Sequence, residues 1–122
     1  MSLEEIGKTT TETSKSKGFG LTEVDIPRAL CLIHSEVSEA LEADRSNMYG
    51  DEENEDIRLL SDDEFKKAYE EVEKGNFEDE LADIIIRTCG LAYRLGINLD
   101  YFIQVKLRYN KLRPHKHGGK KY

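Results

Sequence analysis

The sequence predicts an all-α protein, with four main helices and an extra short one in a four-helix-bundle-like arrangement. Three observations predict this class. Apolar residues recur at the spacing of one helix face in two long stretches, 23–46 and 77–95. A third apolar stretch, 98–113, is stopped by Pro114. No segment shows the convincing alternation of a strand. A length of 122 residues indicates a single domain over residues 1–122.

The first two predicted helices differ in polarity. Residues 3–17 are polar and weakly helical, and Gly18-Phe19-Gly20 interrupts them. The stretch 23–46 is a strong helix, because Asp25 can cap it and Pro27 sits where a missing N–H costs little. Its expected buried stripe consists of Leu30, Ile33, Val37, Ala40 and Leu41.

The stretch 47–75 separates the two most apolar helices. It begins as a loop that carries the acidic run 51–56. Ser61 and Glu64 then have the spacing of a capping box, which predicts a short charged helix to about Lys74. We expect this stretch to border the functional site as a mobile loop with a short helix. The plainer alternative is a solvated decoration without a role.

The last two predicted helices complete the fold. Asn76 can cap the first, which is apolar on more than one face and ends at Gly96. Asn98 or Asp100 starts the second, which runs to about Arg113. Its residues expected to point inward are Phe102, Ile103, Val105 and Leu107.

Charge is distributed unevenly along the chain. The net charge of −7 argues against general nucleic-acid binding. Residues 42–80 contain 16 acidic and 5 basic side chains, whereas residues 106–122 contain 7 Lys or Arg and no acid. An acidic body with a basic end suggests a metal site and, separately, anion recognition.

The chain lacks the patterns of export or membrane insertion. Residues 1–5 have no basic-then-apolar segment, and no apolar run approaches the roughly 18 residues of a membrane span. We therefore expect a cytoplasmic protein. Cys31 and Cys89 lie in helical stretches and are interpreted as buried thiols of a reduced compartment rather than a disulfide. His34 is interpreted as a structural or surface histidine.

Two pairs of carboxylates interrupt the apolar helices. Glu36 and Glu39 form one pair, and Glu80 and Asp83 form the other. The three-residue spacing places each pair on one helix face. If the helices pack together, four carboxylates meet and cannot all stay ionised without a counter-charge. All-oxygen ligands favour Mg²⁺ or Mn²⁺. The plainer interpretations are a solvated face for the first pair and dipole compensation for the second.

A basic face lies near the end of the last predicted helix. Lys106, Asn110 and Arg113 are spaced at i, i+4 and i+7. Lys and Arg on one face could hold phosphates. The alternative is compensation of the helix dipole followed by a disordered basic tail, His115 to Tyr122.

These motifs resemble those of the MazG-like, all-α nucleoside triphosphate pyrophosphohydrolases. The resemblance covers most of residues 3–120 and rests on the segments 32–40, 80–84 and 106–113. It weakens across residues 47–76. It implies metal binding and catalysis by Glu36, Glu39, Glu80 and Asp83. It also implies substrate binding by Lys106, Asn110 and Arg113.

The resemblance further implies Mg²⁺-dependent hydrolysis of a (deoxy)nucleoside triphosphate to the monophosphate and pyrophosphate, in a homodimer or homotetramer. The chain departs from the family pattern at two points. Ser35 stands where the family often has its first Glu, and the spacing between the motifs is long. Two alternatives stay open: a relative restricted to dUTP, dCTP or phosphoribosyl-ATP, and a non-catalytic helical scaffold or regulatory partner with a structural cation site.

Overall fold

The computed structural model describes residues 1–19, 23–50 and 56–114. These residues contain no β-strand, so the predicted all-α class is confirmed; bundle packing and assembly stay predictions. None of the helices in these ranges is both long and apolar enough to cross a bilayer. The five α-helices are α1 (Leu3–Ser16), α2 (Ile26–Arg45), α3 (Asp62–Ala68), α4 (Phe77–Arg94) and α5 (Leu99–Leu112).

Side-chain caps fix where α1, α2 and α5 begin, and α3 has a similar cap. The Ser2 hydroxyl accepts a hydrogen bond from the Glu5 N–H at 3.1 Å, and the Glu5 carboxylate in turn accepts from the Ser2 N–H. Asp25 accepts from the backbone of Arg28 at the start of α2. Asn98 does the same for α5, at 3.1 Å from the Tyr101 nitrogen. Such caps satisfy N–H groups that have no partner within the helix.

The segment between α2 and α4 is more irregular than predicted. A single turn of 3-10 helix, Ile57–Leu59, precedes α3. The Ser61 hydroxyl caps α3 as expected, but α3 ends at Ala68 and continues as a π-helical turn, Tyr69–Glu73. The helical stretch therefore has the predicted length but changes its hydrogen bonding midway. Most of the acidic run, residues 51–55, lies outside the described residues.

The contacts of the chain group into two compact units, the middle unit (residues 22–88) and the terminal unit (residues 1–21 with 89–122). Within the middle unit, the start of α4 is fastened to the segment that follows α2. The Phe77 N–H donates to the Met48 carbonyl at 2.9 Å, and the Gly50 N–H donates to the Glu78 carboxylate at 2.6 Å. The Tyr49 and Phe77 rings lie 5.4 Å apart.

The π-helical turn is fastened to the same place. The Tyr69 hydroxyl donates to Asp79 Oδ1, and the Gly75 N–H donates to Asp79 Oδ2 at 3.0 Å. Gly75 has φ of +82°, a left-handed conformation that few other residues adopt without strain. The irregular segment thus holds the first turn of α4, immediately before Glu80.

Within the terminal unit, α1 approaches the end of α4 very closely. A Cβ atom on Gly7 would lie 2.4 Å from the Cys89 carbonyl oxygen and 2.6 Å from the Tyr93 Cβ. Only glycine permits this approach. Cys89 is buried there, as expected, whereas Cys31 on α2 is exposed.

The apolar faces predicted to point inward are largely exposed. On α5, Phe102 is 57% and Leu107 60% exposed, and on α2 Val37 is 47% exposed. The buried apolar residues of the described ranges are all small: Ala40, Ala43, Cys89 and Ala92. The inward orientation of α5 was therefore wrong for the single chain. Periodicity identifies which face of a helix is apolar, but not what covers it.

Candidate metal centre

Three carboxylates of the middle unit converge between two helices. Glu36 comes from α2, and Glu80 and Asp83 come from α4. One oxygen from each lies within 4.8 Å of the other two. Glu36 is 7% and Glu80 8% exposed, while Asp83 is partly buried. Most acidic side chains lie in water, so this burial of two carboxylates side by side is unusual.

Two oxygens of this cluster have no donor. Glu36 Oε2 and Glu80 Oε2 are fully shielded from water, and no N–H or O–H of the described protein donates to either. An ionised carboxylate oxygen buried without a partner is costly. A proton or a cation must therefore occupy the space between these side chains. The carboxylate oxygens of Glu36, Glu80 and Asp83 are the kind of ligand that a hard divalent cation prefers.

Burial and mutual repulsion separate the acidities of the two buried carboxyls. Burial, together with the adjacent Glu36 and Glu39 carboxylates, raises the pKa of Glu80 to about 8. Burial acts on Glu36 in the same direction. Its interactions with Glu80, Glu39 and Arg87 outweigh that effect and leave the pKa of Glu36 lowered. The raised pKa of Glu80 and the lowered pKa of Glu36 make Glu80 the member of the pair that keeps a proton more readily. A bound cation would displace that proton.

The Asp83 carboxyl is affected by burial and by the same neighbouring charges. Burial raises its pKa, and the negative charges of Glu36, Asp79 and Glu39 add to this, against the opposing charge of Arg87.

Glu39 lies at the edge of the cluster. Its side chain is exposed and is not one of the three with oxygens inside 4.8 Å. It nevertheless interacts with both Glu36 and Glu80, since it contributes to the pKa shifts of each. The structure therefore brings together three of the four predicted carboxylates and leaves the fourth beside them, open to water.

Arg87 is a residue of this site that the sequence patterns did not predict. Its Nε–H donates to Glu36 Oε1 at 3.0 Å, which forms a salt bridge between α4 and α2. A lone Arg in a helix resembles any surface residue. The available signal was its spacing, because Glu80, Asp83 and Arg87 follow i, i+3, i+7 on one face of α4.

The predicted phosphate-binding residues belong to the terminal unit. Lys106 and Asn110 lie on α5, and Arg113 is the residue that ends it. All three are exposed. The Lys106 ammonium lies 5.3 Å from the centre of the Tyr109 ring, within the range of a cation–π contact.

The Ser35 hydroxyl donates to the Leu32 carbonyl of its own helix at 2.8 Å. The position at which the family often has its first Glu thus adds no carboxylate to the cluster.

Compared with known protein families, with curated proteins and with solved structures, the chain matches none. Its function must therefore be argued from the carboxylate cluster and from the motifs that form it.

Proposed function

We propose that the protein is a Mg²⁺-dependent hydrolase that converts (deoxy)nucleoside triphosphates to the monophosphate and pyrophosphate, in the house-cleaning of the nucleotide pool. The observation that carries the proposal is the pair of buried, donor-less oxygens on Glu36 and Glu80, beside Asp83. They fit a hard cation, and Mg²⁺ characteristically shares carboxylates with substrate phosphates. The resemblance of both carboxylate motifs to the MazG-like enzymes supports the choice of reaction.

The four carboxylates would have two roles, metal binding and proton acceptance. Glu36, Glu80 and Asp83 would hold the ion, with Mn²⁺ as a substitute. When bound, Mg²⁺ neutralises the triphosphate, polarises the α-phosphorus and activates water. Glu39 is exposed and lies outside the tight group, so it is best placed to accept a proton from water.

The basic residues of α5 would act on the phosphates. Lys106, Asn110 and Arg113 present two charges and an amide to solvent, and Arg can hold a phosphate through two parallel bonds. As its bond to the α-phosphorus breaks, the leaving pyrophosphate gains negative charge. A cation near it would therefore lower the barrier to hydrolysis.

Assembly into a homodimer or homotetramer is part of the same proposal. One apolar face of α5 carries Phe102, Val105 and Leu112, spaced at i, i+3 and i+10, and Leu112 is 75% exposed. A large exposed apolar patch marks an interaction surface in a protein that stays in solution. A second copy of the chain would cover it.

The deciding experiment is pyrophosphate release from a panel of dNTPs in the presence of Mg²⁺, with Glu36→Gln as the control. Release from many dNTPs supports house-cleaning. Release from one base or sugar alone would identify a restricted relative, for which dUTP, dCTP and phosphoribosyl-ATP should be included.

Two observations favour the non-catalytic alternative. Ser35 contributes no carboxylate, and Glu36 already has a cation in Arg87. A scaffold or regulatory partner with a structural cation site would show a Mg²⁺-dependent rise in melting temperature. It would release no pyrophosphate from any member of the panel.

A further inference from the structure

We propose that Arg87 is a built-in counter-ion that exchanges with the metal. It neutralises Glu36 when no divalent cation is bound, and cation binding releases it to hold a phosphate group of the substrate. This inference rests on the proposed function and adds a residue that lies in neither carboxylate motif.

The two partners of the salt bridge differ in exposure to water, and this difference decides which of them can leave. The Glu36 side chain is 9% exposed, whereas the Arg87 side chain is 43% exposed. Glu36 is buried beside Glu80 and Asp83, among the side chains that pack there. The long Arg87 side chain can turn into water without disturbing that packing.

A divalent cation and Arg87 compete for the same charge. Arg87 binds Glu36 Oε1, while Glu36 Oε2 faces the cluster without a donor. An ion held by Glu36, Glu80 and Asp83 would carry twice the charge of a guanidinium and contact three carboxylates instead of one. The free energy lost by a half-exposed Arg is small, because water replaces its partner. Exchange in favour of the ion is therefore expected.

The Arg87 guanidinium also has N–H donors beyond the one that binds Glu36. Among the described residues, its one hydrogen bond is made by Nε, so both terminal nitrogens are unengaged. Those nitrogens form the planar fork that matches two phosphate oxygens. Arg87 lies one turn beyond Asp83 on the same face of α4, which places the fork next to the ion's ligands.

The test compares Arg87→Gln and Arg87→Lys with Arg58→Gln as the matched control. Arg58 belongs to the same unit and loses the same charge, but its partner is Asp56. Mn²⁺ affinity is measured by calorimetry on the metal-free protein. We expect Arg87→Gln to bind Mn²⁺ about fivefold more tightly, the scale of one partly exposed ion pair. Arg58→Gln should stay within about twofold of the wild type.

The release step is tested with inorganic pyrophosphate on Mn²⁺-saturated protein. Arg87→Gln should bind it about tenfold more weakly, and Arg87→Lys, which keeps the charge but loses the fork, should fall in between. A merely structural Arg would leave this affinity unchanged.

A separate result would overturn each half of the proposal. Unchanged or weaker Mn²⁺ binding by Arg87→Gln overturns the exchange, and unchanged pyrophosphate affinity overturns the release. If Arg87→Gln does not fold, Arg87→Lys carries the pyrophosphate comparison, and an affinity equal to that of the wild type overturns the role of the fork. Failure of the wild type to hydrolyse any dNTP would refute the proposed function, while both binding measurements would still judge Arg87.

Discussion

The carboxylate cluster of the middle unit and the apolar face of α5 in the terminal unit reverse the usual distribution of side chains. Glu36 and Glu80 are acidic and more than nine-tenths buried, whereas Phe102 and Leu112 are apolar and more than half exposed. Buried acids need a counter-charge and broad apolar faces need a cover. Under the proposed function, a cation would complete the first region and a second copy of the chain would cover the second.

The largest effect is expected from breaking the carboxylate cluster. Glu36→Gln or Asp83→Asn should abolish turnover while the fold survives, because one ligand charge is lost and repulsion within the cluster falls. The thermal stabilisation by Mg²⁺ or Mn²⁺ that we expect of the wild type should disappear in these variants. Thermal melts with and without metal measure it, and an equal shift in the variants would rule out this metal site.

Glu39→Gln is the matched comparison within the same helix. It should keep the metal-dependent rise in melting temperature but lose turnover by about 10²–10⁴-fold, the usual contribution of a general base. Loss of both properties together would make Glu39 a ligand instead.

The next largest effect concerns pH. The pKa of Glu80 is raised from 4.5 to about 8 in the folded chain, so native Glu80 keeps a proton that the unfolded chain loses. The associated stability is present below about pH 4.5 and is lost as pH rises toward 8. The metal-free protein should therefore lose stability on the order of a few kcal/mol across that range.

Denaturant unfolding at several pH values measures this loss. Glu80→Gln should flatten the curve, because the amide cannot ionise. Saturating Mg²⁺ should flatten it for the wild type, because the ion replaces the proton. A wild-type curve that rises from pH 5 to 8 would contradict the raised pKa of Glu80.

Helix α5 should show smaller effects that do not depend on the base. Lys106→Ala and Arg113→Ala should each weaken nucleotide binding by roughly 1–3 kcal/mol, since a charge-assisted bond to phosphate is lost. The loss should be the same for all four dNTPs. A changed preference among bases, with overall affinity spared, would show that these side chains contact the base.

The smallest effect on turnover is expected from a substitution on the apolar face of α5. Val105→Glu should reduce assembly, measured by sedimentation, because it places a charge in the surface that a second copy is proposed to cover. Leu59→Glu is the control, because Leu59 is 84% exposed in the isolated turn before α3. A wild-type protein that sediments as a monomer at micromolar concentration would exclude the predicted oligomer.

Local signals in the sequence predicted the helices well. Asp25, Ser61 and Asn98 cap the helices that they were expected to cap, because capping depends on a few neighbouring residues. The convergence of Glu36 with Glu80 and Asp83 followed from spacing once two helices were paired. The exposure of α5 could not follow, since periodicity does not reveal what covers a face. The Arg87 salt bridge joins residues 51 positions apart, and composition carries no trace of it.

The hydrogen bond from Tyr69 to Asp79 provides a spectroscopic probe beside the candidate metal centre. The chain has six tyrosines and no tryptophan, so tyrosine dominates its near-ultraviolet spectrum. Burial raises the pKa of Tyr69, and Asp79, Asp83 and Glu80 raise it further. A divalent cation beside Asp83 and Glu80 would offset part of that negative field and let this phenol ionise at lower pH. An alkaline absorbance titration would then report occupancy of the site without a label, a substrate or turnover.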